Sequence, residues 1–119
     1  MPLDSAAVPI SNLILETRPW DDAMIVECKG RLTVEHSEAL KNRVRSLLPA
    51  SRRIIIDLRE VTRMDSSGLG VIVGLYISAK KCGCELVLIN YNKSIRDLLG
   101  LTNLLSVFES CAQSGMRLP

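Results

Sequence analysis

Met64-Asp65-Ser66-Ser67-Gly68-Leu69-Gly70 follows a short apolar strand pattern and opens the most apolar helix pattern in the chain. Asp65, Ser66 and Ser67 all suit a helix N-cap, because their short side chains accept hydrogen bonds from the first free backbone N–H groups. Gly68 and Gly70 are expected to keep the first turn bare, so that another molecule can approach the backbone closely. A serine hydroxyl here lies at the positive end of a helix dipole, which favours an added phosphate. On their own these residues specify a helix cap. Two serines between an aspartate and two glycines are more than a cap requires.

Upstream of this stretch, Ile54-Ile55-Ile56-Asp57-Leu58 is a continuous β-branched run, the pattern of a strand buried on both faces. Arg59 to Arg63 reads as a charged loop. Downstream, a helix is expected over Ser67 to Lys81. Its apolar residues, from Leu69 through Ala79, surround the axis and predict a largely buried helix. Gly70 and Gly74, four apart, form a smooth strip expected to pack closely on a sheet. Gly83 suits the position just past the helix end. Glu85 to Asn90 is then another buried strand. Strand, helix and strand make a βαβ unit, whose crossover sets the two strands parallel.

Further out, Asn12 to Arg18 and Ala23 to Lys29 read as two strands of a hairpin, joined by a turn at Pro19-Trp20-Asp21-Asp22. Gly30 is expected to end the second strand. Thr33 is the expected N-cap of a helix over Val34 to Leu48, with Leu40, Val44, Leu47 and Leu48 on its apolar face. Pro49 stops it. A last helix is expected from Asn92 to Leu99, ended by Gly100. Leu104, Leu105, Val107 and Phe108 supply a final strand or apolar cover. Residues 1–11 read as a mobile lead-in and residues 12–119 as one domain. The fold class is α/β: one mixed sheet with helices mainly on one face.

The 119 residues suit one domain with a sizeable core. Aromatics are only 3% of the chain, so Leu, Ile and Val must build that core. The net charge of +2 is too small to argue for nucleic acid, and no basic run interleaved with aromatics occurs. The longest apolar run, Leu69 to Ala79, falls short of the roughly 20 residues that cross a bilayer. The first residues lack the basic start and apolar run of a signal peptide, so a cytoplasmic location and no membrane are expected. Reduced thiols are therefore expected at Cys28, Cys82, Cys84 and Cys111. Cys82-Gly83-Cys84 has neither redox nor zinc spacing, and His36 stands alone on a probable helix, so no metal or other cofactor is expected. Ser66 and Ser67 have no evident base and no nucleotide loop is present, so the chain reads as no enzyme. The serines fit better as acceptors of chemistry done by another protein.

Ile55-Ile56-Asp57-Leu58, Val61 and Met64-Asp65-Ser66-Ser67-Gly68-Leu69-Gly70-Val71 together resemble the signature of STAS-domain anti-sigma factor antagonists. The resemblance extends from about Leu13 to Phe108 and takes in Gly30-Arg31-Leu32 and Leu98-Leu99-Gly100-Leu101. It implies a single STAS-like α/β domain with a mixed, mostly parallel sheet. It also implies a partner-switching module that regulates sigma-factor-dependent transcription. Such a module binds an anti-sigma factor serine kinase, is inactivated by phosphorylation at Ser66, and is reset by a protein serine phosphatase. Ser67 matches the neighbouring hydroxyl. The partner-binding residues implied are Arg31, Thr33, Met64, Asp65, Ser66, Ser67, Gly68 and Leu69, in a monomer or weak dimer. The chain departs from the family at Gly30-Arg31-Leu32-Thr33, where members of this type usually carry Gly-Glu-Leu-Asp. Reversing charge at this corner changes which partner fits. It also motivates an alternative, a STAS scaffold subunit of a larger signalling complex without sigma-factor control.

Overall fold

Strand β1 (Leu13–Trp20) and strand β2 (Ala23–Leu32) form an antiparallel hairpin, with Leu15 opposite Cys28 and Trp20 opposite Ala23. The turn is Asp21-Asp22 alone, with Asp21 at φ 55°; Pro19 and Trp20, expected in the turn, belong to the strand. The computed structural model describes residues 13–101. The expected lead-in at 1–11, the apolar cover at Leu104, Leu105, Val107 and Phe108, and Cys111 lie outside the described residues.

After β2 the chain enters helix α1 (Ser37–Leu47), a short 3-10 turn (Leu48–Ala50) and strand β3 (Arg53–Met64). Helix α2 (Ser66–Lys81), strand β4 (Glu85–Ile89) and helix α3 (Lys93–Leu101) follow. The sheet order is β1-β2-β3-β4. The β2–β3 and β3–β4 pairs are both parallel, so α1 and α2 are the two crossovers. The βαβ unit expected around the Met64–Gly70 stretch is present, preceded by a second one.

The core confirms the aliphatic expectation: the largest fully buried side chains are all Ile and Leu. Val26, Ile54, Ile56, Leu58 and Leu86 from the sheet meet Leu40 and Val44 of α1, Ile72 and Leu75 of α2, and Ile95 and Leu99 of α3. The described helices thus gather on one face. A smaller cluster of Ala23, Ile25, Ile55, Val87 and Ile89, with Trp20 against it, is buried on the other face. Each aliphatic side chain so buried contributes about 1.5–3 kcal/mol.

Several element ends differ from the sequence expectation. Strand β2 runs through Gly30 to Leu32, because the register shifts beside Gly30 and glycine accepts its φ of 113°. The expected charged loop at Arg59–Arg63 is strand, because β2 remains beside it as a partner. Thr33 is not the helix cap. It is buried, its Oγ1 has no hydrogen-bond partner among the described residues, and its carbonyl accepts from the His36 and Ser37 N–H groups, so α1 starts at Ser37. Gly100 lies inside α3. Helix α2 ends as expected: Gly83 has φ 71°, Cys84 N–H reaches the Ala79 carbonyl at 2.9 Å, and Gly83 N–H reaches that of Lys80 at 3.2 Å. Among the described residues, no helix is long and apolar enough to cross a membrane.

The glycines of α2 overturn two expectations. A Cβ on Gly68 would strike the Leu32 carbonyl, so this glycine admits the chain's own β2 and not another molecule. Gly74, expected against the sheet, is exposed, and a Cβ there would meet nothing. Helix α2 buries only the side on which Leu69, Ile72, Leu75 and Ala79 lie, while Ile77 is exposed. The two glycines should therefore respond to substitution with opposite sign. Gly74→Ala is expected to stabilise by up to about 1 kcal/mol. Gly68→Ala, which forces backbone apart, is expected to destabilise by about 1–3 kcal/mol. Urea unfolding of both variants measures this; equal shifts would contradict the packing of α2.

Candidate functional site

The carboxylate of Asp65 closes strand β3 and opens α2. Its Oδ1 accepts the backbone N–H of Ser67 at 2.9 Å and of Gly68 at 3.0 Å. Of the three cap candidates, the structure thus selects Asp65, in extended conformation at φ −112°. The other oxygen, Oδ2, accepts the N–H of Val34 at 3.1 Å. Asp65 N–H in turn donates to the Leu32 carbonyl at 3.4 Å. One residue therefore binds the first turn of α2 to the connection between β2 and α1. Backbone N–H donors hold the Asp65 carboxyl below the ordinary carboxylate range against the opposing effect of burial, with Gly68 contributing most, followed by Val34, Ser67 and the N–H of Asp65 itself.

With Asp65 as cap, Ser66 is relieved of that role. It is the first residue of α2, it is exposed, and its hydroxyl makes no hydrogen bond among the described residues. Ser67 is half-buried and faces a groove between α1 and α2 of about 440 Å³. Gly70, Val71 and Gly74 floor that groove on the α2 side, and Val34, Lys41 and Arg45 lie along the other.

The eight residues singled out as partner-binding do meet at one end of the sheet, in different roles. Arg31 and Ser66 are exposed; Met64, Asp65 and Ser67 are half-buried. Thr33, Gly68 and Leu69 are buried and shape the corner from within. Sequence reasoning missed Val34, which is 66% exposed beside the Asp65 carboxylate. It also missed Arg63, which β2–β3 pairing sets beside Arg31. A valine at an expected helix start and an arginine in an expected loop gave no signal.

The other polar groups lead elsewhere. Asp57, buried in mid-β3, accepts from Arg59 N–H at 3.0 Å and Asn90 Nδ2 at 3.1 Å, tying β3 to the end of β4. The Cys28 thiol is pushed up to about 12, by burial first and by Asp57 second, so it stays protonated. Cys28, Cys82 and Cys84 are free thiols. No hydrogen bond among the described residues joins Ser66 to His36 or Asp57, and no group of described His, Cys, Asp and Glu residues fits a metal ion.

Comparison with known proteins agrees with this architecture. The family model of the STAS domain matches residues 15–115. The anti-sigma-B factor antagonist of Bacillus subtilis is 28% identical over 103 residues, which span 87% of this chain and 94% of that protein. Two structures of the anti-sigma factor antagonist SpoIIAA are similar in fold, each with 18% identity. The unphosphorylated form gives a TM-score of 0.68 over 77% of this chain and 83% of that one. The phosphorylated form, from Bacillus, gives 0.65 over 76% and 85%.

The cap makes a pH-dependent contribution whose sign is fixed. The Asp65 carboxyl is more acidic folded than unfolded, so its stabilisation is present above the unfolded value of roughly 4 and is lost as pH falls through the lower folded value. Asp65→Ala is expected to unfold at lower urea than the wild type at pH 7. That gap should narrow as pH falls below the unfolded carboxylate value. A gap independent of pH would mean that the carboxylate charge does not hold the corner.

Proposed function

Because the chain belongs to the STAS domain family, we propose that it is an anti-sigma factor antagonist switched by phosphorylation of Ser66. In its unmodified form the Ser66 end of the domain docks on an anti-sigma factor that is also a serine kinase, freeing the sigma factor for transcription. The kinase phosphorylates Ser66 and the module lets go. A protein serine phosphatase resets it.

The observation that carries this reading is the division of labour between Asp65 and Ser66. Asp65 takes the structural role of cap, and Ser66 is exposed at a helix N-terminus with a hydroxyl that makes no hydrogen bond among the described residues. Phosphate can be added there without removing a bond that holds the domain. The helix dipole favours the added negative charge in the free protein. In a complex the same phosphate, about −1.5 to −2 charges beside the Asp65 carboxylate, opposes docking by repulsion and desolvation. The names of the relatives support the same class, and SpoIIAA itself has been solved in unphosphorylated and phosphorylated forms. Docking contacts fall to the exposed side chains around Ser66, namely Arg31 and Val34, and to the rim of the α1–α2 groove. Thr33, Gly68 and Leu69 act by holding that surface in shape.

The test is intact-mass analysis after incubation with ATP and a candidate serine kinase, followed by calorimetry. Wild type and Ser67→Ala should each gain one phosphate, and Ser66→Ala none. Ser66→Ala should fold with little change in melting temperature, because it is not the cap, and should bind the kinase as the wild type does. Ser66→Asp should bind at least about tenfold more weakly, a loss of about 1.4 kcal/mol. Phosphate on Ser66→Ala, or equal affinities of the two variants, would contradict the switch.

A further inference from the structure

The two strands that lead into the switch corner end in a like-charged pair. Arg31 of β2 is in register with Arg63 of β3, one step before Leu32 meets Met64. A bulge creates this pairing. Gly30 faces Val61 and Arg31 faces Arg63, so Thr62 is the extra residue of β3. Its hydroxyl donates to the Gly30 carbonyl at 3.1 Å, which fastens the bulge. Without the extra residue, Arg31 would face Thr62. Leu32 is fully buried under the helices, so Arg31 beside it points to the other side of the sheet.

Both arginines are exposed, and neither has a hydrogen bond or ion pair among the described residues. The carboxylates nearby are otherwise engaged: Glu16 of β1 holds Lys29 at 3.0 Å and Glu27 of β2 holds Arg18 at 3.3 Å. Glu60 of β3 is in register with Lys29. Like charges directly opposite one another on paired strands repel. Here a bulge sets two exposed arginines opposite one another, and no anion of the described residues pairs with either. Each is a planar fork that takes a carboxylate in two hydrogen bonds.

We propose that Arg31 and Arg63 form a docking point for an acidic segment of the partner protein, with carboxylate side chains bridging the two guanidinium groups. This rests on the reading of Ser66 as a phosphorylation switch and adds to it the charge of the partner. Arg63 lies three residues before Ser66, and the Leu32 carbonyl next to Arg31 receives the Asp65 N–H. The arginine pair therefore borders the loop that carries the serine. A phosphate at Ser66 brings about −1.5 to −2 charges close to the two arginines. It offsets the attraction for an acidic segment and repels that segment directly. Partner charge and switch are thus matched: an acidic surface is drawn by the unmodified corner and rejected by the phosphorylated one.

The experiment uses two probes. The first is the serine kinase found to phosphorylate Ser66. Arg31→Glu, Arg63→Glu and Arg31→Lys are compared with wild type by calorimetry at low and high salt, with melting temperatures as the check on folding. The Glu variants should each bind at least about tenfold more weakly, and Arg31→Lys should lose less than either, because it keeps the charge and gives up only the fork. Wild-type affinity should fall as salt rises. Folded Glu variants that bind as tightly as wild type would overturn the proposal, even with Ser66 phosphorylated normally. The second probe, a hexaglutamate peptide, needs no kinase. In an NMR titration it should shift the amide signals of residues 31, 62 and 63 of the wild type, and not those of Arg31→Glu/Arg63→Glu. Shifts spread evenly over all basic residues would overturn it. Absence of phosphate on wild-type Ser66 would refute the switch reading and leave the peptide result to judge the arginine pair.

Discussion

The Asp65 carboxylate is the one interaction on which the working end of this domain depends. It receives three backbone N–H groups, two from α2 and one from Val34 on the connection between β2 and α1. A helix N-terminus leaves several donors without intrahelical partners. One aspartate here satisfies two of them and uses its second oxygen to fix a segment 31 residues away in sequence. Gly68 completes the joint, because only a residue without Cβ lets the first turn of α2 lie against the Leu32 carbonyl. Strand end, helix start and the neighbouring connection are thereby one rigid corner.

That corner explains why a serine can sit at the head of a helix without structural duty. Since Asp65 caps, Ser66 presents an exposed hydroxyl that no described residue engages, and the modification proposed there changes surface charge without touching the core. The same logic separates the two serines. Ser67 gives its N–H to the cap and faces the α1–α2 groove, whereas Ser66 faces outward. The charges around the corner are set by the sheet. The bulge at Thr62 sets Arg31 opposite Arg63, the pair proposed to receive the partner's carboxylates.

The fold was legible in the sequence wherever a local pattern decided it. The β-branched run at Ile54–Leu58, the Asp-Ser-Ser-Gly junction and Gly83 placed the central strand, the start of α2 and its end. What failed depended on partners distant in sequence. Thr33 has the chemistry of a cap but was drawn into the interior, and the helix began three residues later. Arg59–Arg63 has loop composition, yet pairing with β2 keeps it extended. Gly74 departs from expectation because α2, though apolar around its axis, is covered on one side only; neither α1 nor the sheet covers that strip. At the site, Asp65 and Ser66 were legible, being neighbours in one motif. Val34 and Arg63 were not, because a hydrogen bond and a strand register bring them in.

An NMR titration of the amide signals of Val34, Ser67 and Gly68 with falling pH tests most directly whether one carboxylate holds this corner. The three amides belong to two segments far apart in sequence but donate to the same side chain. The account predicts that they move together, with one midpoint below the ordinary carboxylate value, while the rest of the fold is intact. A Val34 midpoint different from that of Ser67 and Gly68, or a common midpoint at the ordinary value, would contradict it.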